Sequence, residues 1–340
     1  MRRTIRKLVL GGVYSVNGKI QKGPFTQGTS ITIQALDENL NPTGKNYHTQ
    51  TVDDAGSFHI NNQIESRYVE IIASGYYFNE ITGKISTSPI TLRSLSDLTE
   101  EGKTNVNLLT TLEAERIRTL VLHGGNSMHE ARRQAELELF NLFHIPDSRD
   151  VSYAFDKMDI TRDGESNAVL LAISATLQVG RSEGVLSELI SKIASEIAES
   201  GRVENESIRE QIQKNGMSVD AASVRRNLED RYTSLGIEGY VIPPFEDYLD
   251  INGNGVIDKN DSWLILNKTD FRFSSDGGTI EIEVQHNVDF EVIVEDDDFE
   301  NDWVIQSDQT KAYLETDHLT FTVLPNETYD DRVARIILRD

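Results

Sequence analysis

Thr279-Ile280-Glu281-Ile282-Glu283-Val284 alternates apolar and acidic residues with a period of two, whereas Val185, Leu186, Leu189, Ile190, Ile193 and Ile197 recur at helical spacing. Successive side chains of a strand point to opposite faces, so the first pattern buries one face of a sheet. The second lines one side of a helix. One chain therefore holds both periods, in separate regions. Around the first stretch, Phe290-Glu291-Val292-Ile293-Val294, Leu319-Thr320-Phe321-Thr322-Val323 and Val333-Ala334-Arg335-Ile336-Ile337 repeat the alternation. They predict four half-buried strands of a sandwich over 264–340. The last strand has no closing segment, so the sandwich is expected to be truncated and the chain to be a fragment.

Upstream of about Asn105, short alternating runs return, as in Ser30-Ile31-Thr32-Ile33-Gln34-Ala35-Leu36 and Tyr68-Val69-Glu70-Ile71-Ile72. They predict an N-terminal β-sandwich over 13–92. The loops Asp37 to Gly44 and Asp53-Asp54-Ala55-Gly56 supply its turns, with Gly56 free to take positive φ. Between the sandwiches the helical period predicts a bundle of five or six helices over 104–244. Ser127 with Glu130 reads as a capping box opening a helix through Phe143, closed by Pro146. Gly201, Gly216 and Gly236 sit where helices should stop. Pro243-Pro244 ends the helical pattern and marks a linker or a docking strand. The fold class expected is multi-domain α+β, with 1–12 a leader or remnant and 245–263 a loop and linker.

The 340 residues carry 33 Lys and Arg against 56 Asp and Glu, a formal net charge of −23. Nucleic acid and anionic membranes demand a basic face, so neither is an expected partner. Without cysteine there is no disulfide, thiol nucleophile or thiolate metal site. Arg2, Arg3, Arg6 and Lys7 resemble the charged start of a signal peptide, but Leu8-Val9-Leu10 is too short for an export core. No stretch approaches the ~18 apolar residues of a membrane span. Either the chain is cytoplasmic or its export signal lies outside this sequence.

The stretch with most chemical content is Asp250-Ile251-Asn252-Gly253-Asn254-Gly255-Val256-Ile257-Asp258-Lys259-Asn260-Asp261. Oxygen ligands fall at loop positions one, three, five, nine and twelve, with glycine at six, as in an EF-hand or dockerin calcium loop. A hard cation needs several oxygens at ~2.3 to 2.6 Å, and a glycine kink lets alternating side chains converge on it. Asp250, Asn252, Asn254, Asp258 and Asp261 would offer side chains and Val256 its carbonyl, while Ile257 points into the core. The competing reading is a polar Asn/Gly turn. A second candidate, Asp159 to Asn167, carries Leu170 where the final carboxylate belongs, and reads better as a turn at the start of a helix.

Other signals carry less chemistry. His123 and His129 flank Gly124-Gly125-Asn126-Ser127, which reads as a helix-to-helix turn, because the nucleophile elbow of an esterase is absent from the sequence. With 56 acidic residues, carboxylate pairs arise by chance, so none is nominated as acid and nucleophile. The acidic run Asp289 to Asp302 reads as a solvated loop or, alternatively, a cation site. Trp303, with Phe299 nearby, offers aromatic surface for stacking on sugar, against the plainer reading of core packing. No catalytic residue and no organic cofactor is expected.

Leu264 to Asp340 resembles the BACON domain, through Phe271-Arg272-Phe273-Ser274-Ser275-Asp276-Gly277-Gly278, Phe290-Glu291-Val292, Trp303-Val304, Leu319-Thr320-Phe321-Thr322-Val323 and Asn326-Glu327-Thr328. That resemblance implies an immunoglobulin-like sandwich of secreted or surface Bacteroidetes proteins, with glycan or mucin binding. Residues 13–92 look like a carboxypeptidase regulatory-like sandwich, through Gly18, Gly23-Pro24, Gly28, Asp53-Asp54-Ala55-Gly56-Ser57-Phe58 and Ala73-Ser74-Gly75-Tyr76. The whole is similar to Bacteroidetes surface lipoproteins. The resulting expectation is a non-enzymatic extracellular or cell-surface protein, stabilised by calcium, presenting a carbohydrate-binding module. The alternative is a spacer or assembly subunit whose open last strand accepts a strand from a neighbouring protein.

Overall fold

The computed structural model describes residues 13–100, 103–145, 154–250, 257, 264–266, 268, 271–286, 289–296, 303–311, 316–328 and 331–339. Among the described residues the chain is mixed α+β, with six α-helices and a strand-rich C-terminal region. It forms two compact units, Met1–Asp258 and Lys259–Asp340.

The first unit begins with strands β1 (Tyr14–Gln21), β2 (Ser30–Leu36), β3 (Pro42–Gln50), β4 (Ser57–Ile64), β5 (Tyr68–Gly75), β6 (Phe78–Asn79), β7 (Lys84–Ile85), β8 (Ile90–Asp97) and β9 (Val106–Asn107). Two larger sheets, β3-β2-β5-β8 and β4-β1-β9, with β9 parallel to β1, and a β6-β7 pair form among the described residues. Alternation along each strand sends Ile31, Ile33, Val69, Ile71 and Ala73 from one sheet and Val16, Ile20, Phe58 and Ile60 from the other into one core. Gly56 closes the β3–β4 turn at φ +77°, and a Cβ there would stand 2.3 Å from the Ile20 carbonyl oxygen. No other residue type fits.

Helices α1 (Leu108–Leu122), α2 (Met128–Leu142), α3 (Glu165–Gln178), α4 (Glu183–Ser200), α5 (Glu206–Gly216) and α6 (Ala221–Ser234) follow. The capping box is in place at α2: the Glu130 backbone N–H donates to Ser127 Oγ, and the Ser127 N–H donates to the Glu130 carboxylate. Gly201 ends α4 in the left-handed conformation. On α4, Leu186, Leu189, Ile190, Ile193 and Ile197 are buried, but Val185 is 51% exposed. Val185 lies at the edge of the stripe, so the expected apolar face is one residue narrower than the sequence reading gave. Helix α3 is buried on all sides from Asn167 to Gln178, as its run Ala168-Val169-Leu170-Leu171-Ala172-Ile173 requires.

Sheets and helices share cores. Phe78 packs with the helical core, and Leu36, Leu40, Tyr68 and Leu95 pack with Ala114, Ile117, Ala131 and Ala135 of α1 and α2. The stretch between 92 and 104 is therefore no break between compact units. Past Pro243-Pro244 the chain stays docked: Ile242, Phe245, Tyr248 and Leu249 are buried in the helical core. Arg225 donates to both oxygens of the Glu246 carboxylate at 2.8 and 2.7 Å. The segment docks as expected of it, but as a 3-10 turn over Phe245–Tyr248 and not as a strand.

The second unit holds β10 (Leu264–Leu266), β11 (Gly278–His286), β12 (Glu291–Asp296), β13 (Val304–Lys311), β14 (Thr316–Val323) and β15 (Ala334–Arg339). They form a sheet β10-β11-β14-β13 and a pair β12-β15. Ile280, Ile282, Val284, Leu319, Phe321 and Val323 of the first meet Val292, Val294, Ile336 and Leu338 of the second in one core. The four expected strands are present. Strand β13 was not expected, because Val304-Ile305-Gln306-Ser307-Asp308 lacks alternation and its register with β14 shifts between Gln306 and Asp308.

Candidate binding cleft in the C-terminal unit

Of the predicted calcium ligands, Asn252, Asn254, Val256, Asp258 and Asp261 lie outside the described residues, and Asp250 is half-buried at the end of the docked segment. Ile257 is buried in the helical core, as the loop reading requires of it. Among the described residues no group of three or more His, Asp or Glu side chains has the arrangement of a metal site.

The second loop candidate is a turn with its oxygens spent internally. Asp159 Oδ1 accepts from Gln21 Nε2 at 2.9 Å, from the Thr161 hydroxyl at 2.6 Å and from Lys19 Nζ at 3.2 Å. Its backbone N–H donates to Asn167 Oδ1 at 2.7 Å. Against the cost of burial, Lys19 and these hydrogen bonds hold the Asp159 carboxyl below the usual carboxylate range. The turn ties the start of α3 to β1. His123 and His129 are both exposed and flank the α1–α2 connection.

Trp303 is half-buried against the core of the C-terminal unit. The Arg332 guanidinium lies 4.5 Å from its ring centroid, and the Trp303 carbonyl accepts from the Leu324 N–H at 2.8 Å. One face of the ring is thus covered from within the chain. Phe299 lies outside the described residues.

The same unit carries a shallow open cleft of about 300 Å³, lined by Lys268, Phe271, Arg272, Phe273, Thr279 and Glu281. Alternation on β11 builds one wall: Ile280 and Ile282 point into the core, so Thr279 and Glu281 point out. The segment before β11 supplies the rest. Its turn is pinned where the Gly277 N–H donates to the Ser274 carbonyl and the Asn326 N–H to the Ser275 carbonyl. The Phe273 ring lies over Gly278, where a Cβ would stand 2.8 Å from two ring carbons. It remains 39% exposed. Lys268 Nζ sits 4.7 Å from the Phe271 ring centroid. Neither Lys268 nor Arg272 has an ion-pair partner among the described residues. In the sequence, Phe271-Arg272-Phe273 stands out only through its resemblance to the family. The apolar residue ahead of a polar wall strand, with Gly-Gly between them, was the signal available.

A second cluster, inside the first unit, had no sequence signal. Glu113 of α1 and Asp156 are each about 1% exposed, and no carboxylate oxygen of either accepts a hydrogen bond. Arg132 of α2 donates to Glu100 at 3.0 Å and to the Leu95 carbonyl at 2.9 Å, with its Nη1 3.8 Å from Asp156. Burial pushes the Glu113 carboxyl well above the usual range and lifts that of Glu136 to about 8. One interior cation, Arg132, thus sits among Asp156, Glu113, Glu100 and Glu136.

Neither the comparison with curated proteins nor that with solved structures returns a match. Residues 294–340 match the BACON family, described as "Putative binding domain, N-terminal". The match spans the end of β12 and all of β13 to β15, starting later than the resemblance read from Leu264. Over residues 294–340 the C-terminal unit is therefore similar to the BACON family.

Proposed function

We propose that this chain is a non-enzymatic, extracellular or cell-surface protein whose C-terminal unit binds carbohydrate, glycan or mucin. The observation that carries the reading is the binding-domain match on a unit that also presents an open cleft with exposed aromatic surface. Aromatic faces pack on the C–H face of a sugar while polar neighbours take its hydroxyls. In the cleft, Phe273 supplies the face, and Thr279 and Glu281 supply polar groups. Calcium in the loop from Asp250 to Asp261 rigidifies the stretch after the docked segment. The test is a binding isotherm of the full chain, with calcium present, against mucin and a panel of soluble polysaccharides. Saturable binding supports the reading, and binding to none of them refutes it.

A second reading, a spacer or assembly subunit, is favoured by one observation. Strand β15 pairs only with β12 among the described residues, leaving a two-stranded sheet with an open edge. A neighbour's strand would add there. Failure to bind any glycan, together with self-association lost on placing proline at Ile337, would favour it.

A further inference from the structure

We propose that the cleft is a subsite for a carboxylate-bearing sugar residue presented singly, of the uronate or sialate class. This rests on the carbohydrate reading above and names its ligand.

The argument starts from charge. Residues 259–340 hold seven Lys and Arg against twenty Asp and Glu, so a cation in this unit is the exception. Two of the seven, Lys268 and Arg272, line one cleft of about 300 Å³, and no described carboxylate pairs with either. Guanidinium and ammonium groups offer charge-assisted hydrogen bonds to a carboxylate, and the planar guanidinium matches both its oxygens. Two rings share the lining with them. Phe273 is held by its seat on Gly278 and presents 39% of its surface. Phe271 already has Lys268 over its ring. Glu281 and Thr279 on the wall are acceptors and donors for ring hydroxyls, and with Glu281 counted the cleft keeps a net positive charge. The combination fits a sugar with an apolar ring face and one carboxylate.

The rest of the chain sets the size of the ligand. A net charge of −23 repels a polyanion as a whole. At physiological salt the screening length is about 8 Å, so two local cations govern a single carboxylate inside the cleft. A cleft at the lower end of ligand-site volumes takes one or two rings, with affinity on the order of millimolar.

The experiment titrates the full chain, with calcium present, against four probes: sialyllactose, lactose, a galacturonate trimer and its methyl ester. The expected result is that an acidic probe binds at least about tenfold more tightly than its neutral counterpart, the value of one charge-assisted hydrogen bond. Which acidic probe binds separates sialate from uronate. Arg272→Gln abolishes the preference for the acid without shifting the melting of the C-terminal unit. Gly278→Ala, which displaces the Phe273 ring, weakens acidic and neutral probes alike. Equal binding of acidic and neutral forms, or a preference that survives both Arg272→Gln and Lys268→Gln, overturns the proposal while the carbohydrate reading stands. Binding to none of these probes or the polysaccharide panel overturns both.

Discussion

Replacing Lys22 with methionine should destabilise the first unit strongly, and replacing Glu80 as well should restore most of the loss. The two side chains are 0% exposed, and Lys22 Nζ donates to Glu80 Oε1. Glu80 Oε2 has no hydrogen-bond partner, so Lys22 is the main group compensating that carboxylate. The pair sits among Tyr77, whose ring centroid is 5.6 Å from Nζ, and α3, whose Ser174 hydroxyl donates to the Lys22 carbonyl at 3.0 Å. Burial lowers the Lys22 pKa against the pull of Glu80. Removing one partner of a buried pair costs about 3–5 kcal/mol, because a charge is left uncompensated. For a unit of this length about 1 kcal/mol moves the melting temperature by ~2–4 °C, so Lys22→Met should lower it by ~6–20 °C. Lys22→Met with Glu80→Leu fills the space with apolar atoms and should recover at least half of that. Urea and thermal unfolding followed by far-ultraviolet circular dichroism measure both. A single variant losing under about 1 kcal/mol, or a double variant no more stable than the single, would refute the claim that the pair is a compensated interior charge.

Three further outcomes are expected. Glu113 and Glu136 have raised pKa values, so the folded first unit binds more protons than the unfolded chain between the ordinary carboxylate range and about pH 8. Its melting temperature should therefore fall as pH rises through that window, and Glu113→Gln should flatten the slope; an unchanged slope counts against the buried cluster. Asp159 has the opposite sign: its lowered pKa contributes stability above the ordinary carboxylate range that is lost as pH falls, and Asp159→Ala should cost about 3 kcal/mol at pH 7 by urea unfolding, with little loss contradicting the tie between β1 and α3. Millimolar calcium should raise the melting temperature, by the equivalent of about 2.7 kcal/mol if it stands a hundredfold above Kd. Asp250→Ala should abolish the rise, and identical melting with and without calcium in the parent chain removes the ion from the account.

What the sequence made legible was local. Alternation in Ser30 to Leu36 gives β2 with the bounds expected. The Ser127–Glu130 pair marks the start of α2, because a capping box is made by residues three apart. Gly201 and Gly56 mark chain reversals that their own φ angles require. The contacts that tie these elements together were not legible, because their partners are far apart in the chain. Lys22 meets Glu80 across 58 residues, and Gln21 meets Asp159 across 138. Neither side of such a pair carries a mark in the sequence; a lysine destined for the interior is spelled like one on the surface. For the same reason the strands and helices looked separable near residue 92, although Leu36, Leu40 and Tyr68 pack against α1 and α2.

The candidate site sits between these two cases, with Trp303 conspicuous in the sequence and Phe273 only in the fold. A tryptophan beside an acidic run is conspicuous, yet exposure decides whether a ring is free to stack, and exposure is tertiary. Arg332, 29 positions later, covers one face of Trp303, whereas Phe273 keeps its exposure because Gly278 leaves room beneath it. The distinction is energetic as well as geometric. A ring already paired with a guanidinium must give up a cation–π contact worth about 0.5–1 kcal/mol or more before it stacks on sugar, and a seated, open phenylalanine gives up only water. If binding occurs on this unit, Phe273→Ala should reduce it more than Trp303→Ala does, once Trp303→Ala is corrected for the packing it removes from the core. The reverse order would return the site to Trp303 and leave the cleft as surface relief.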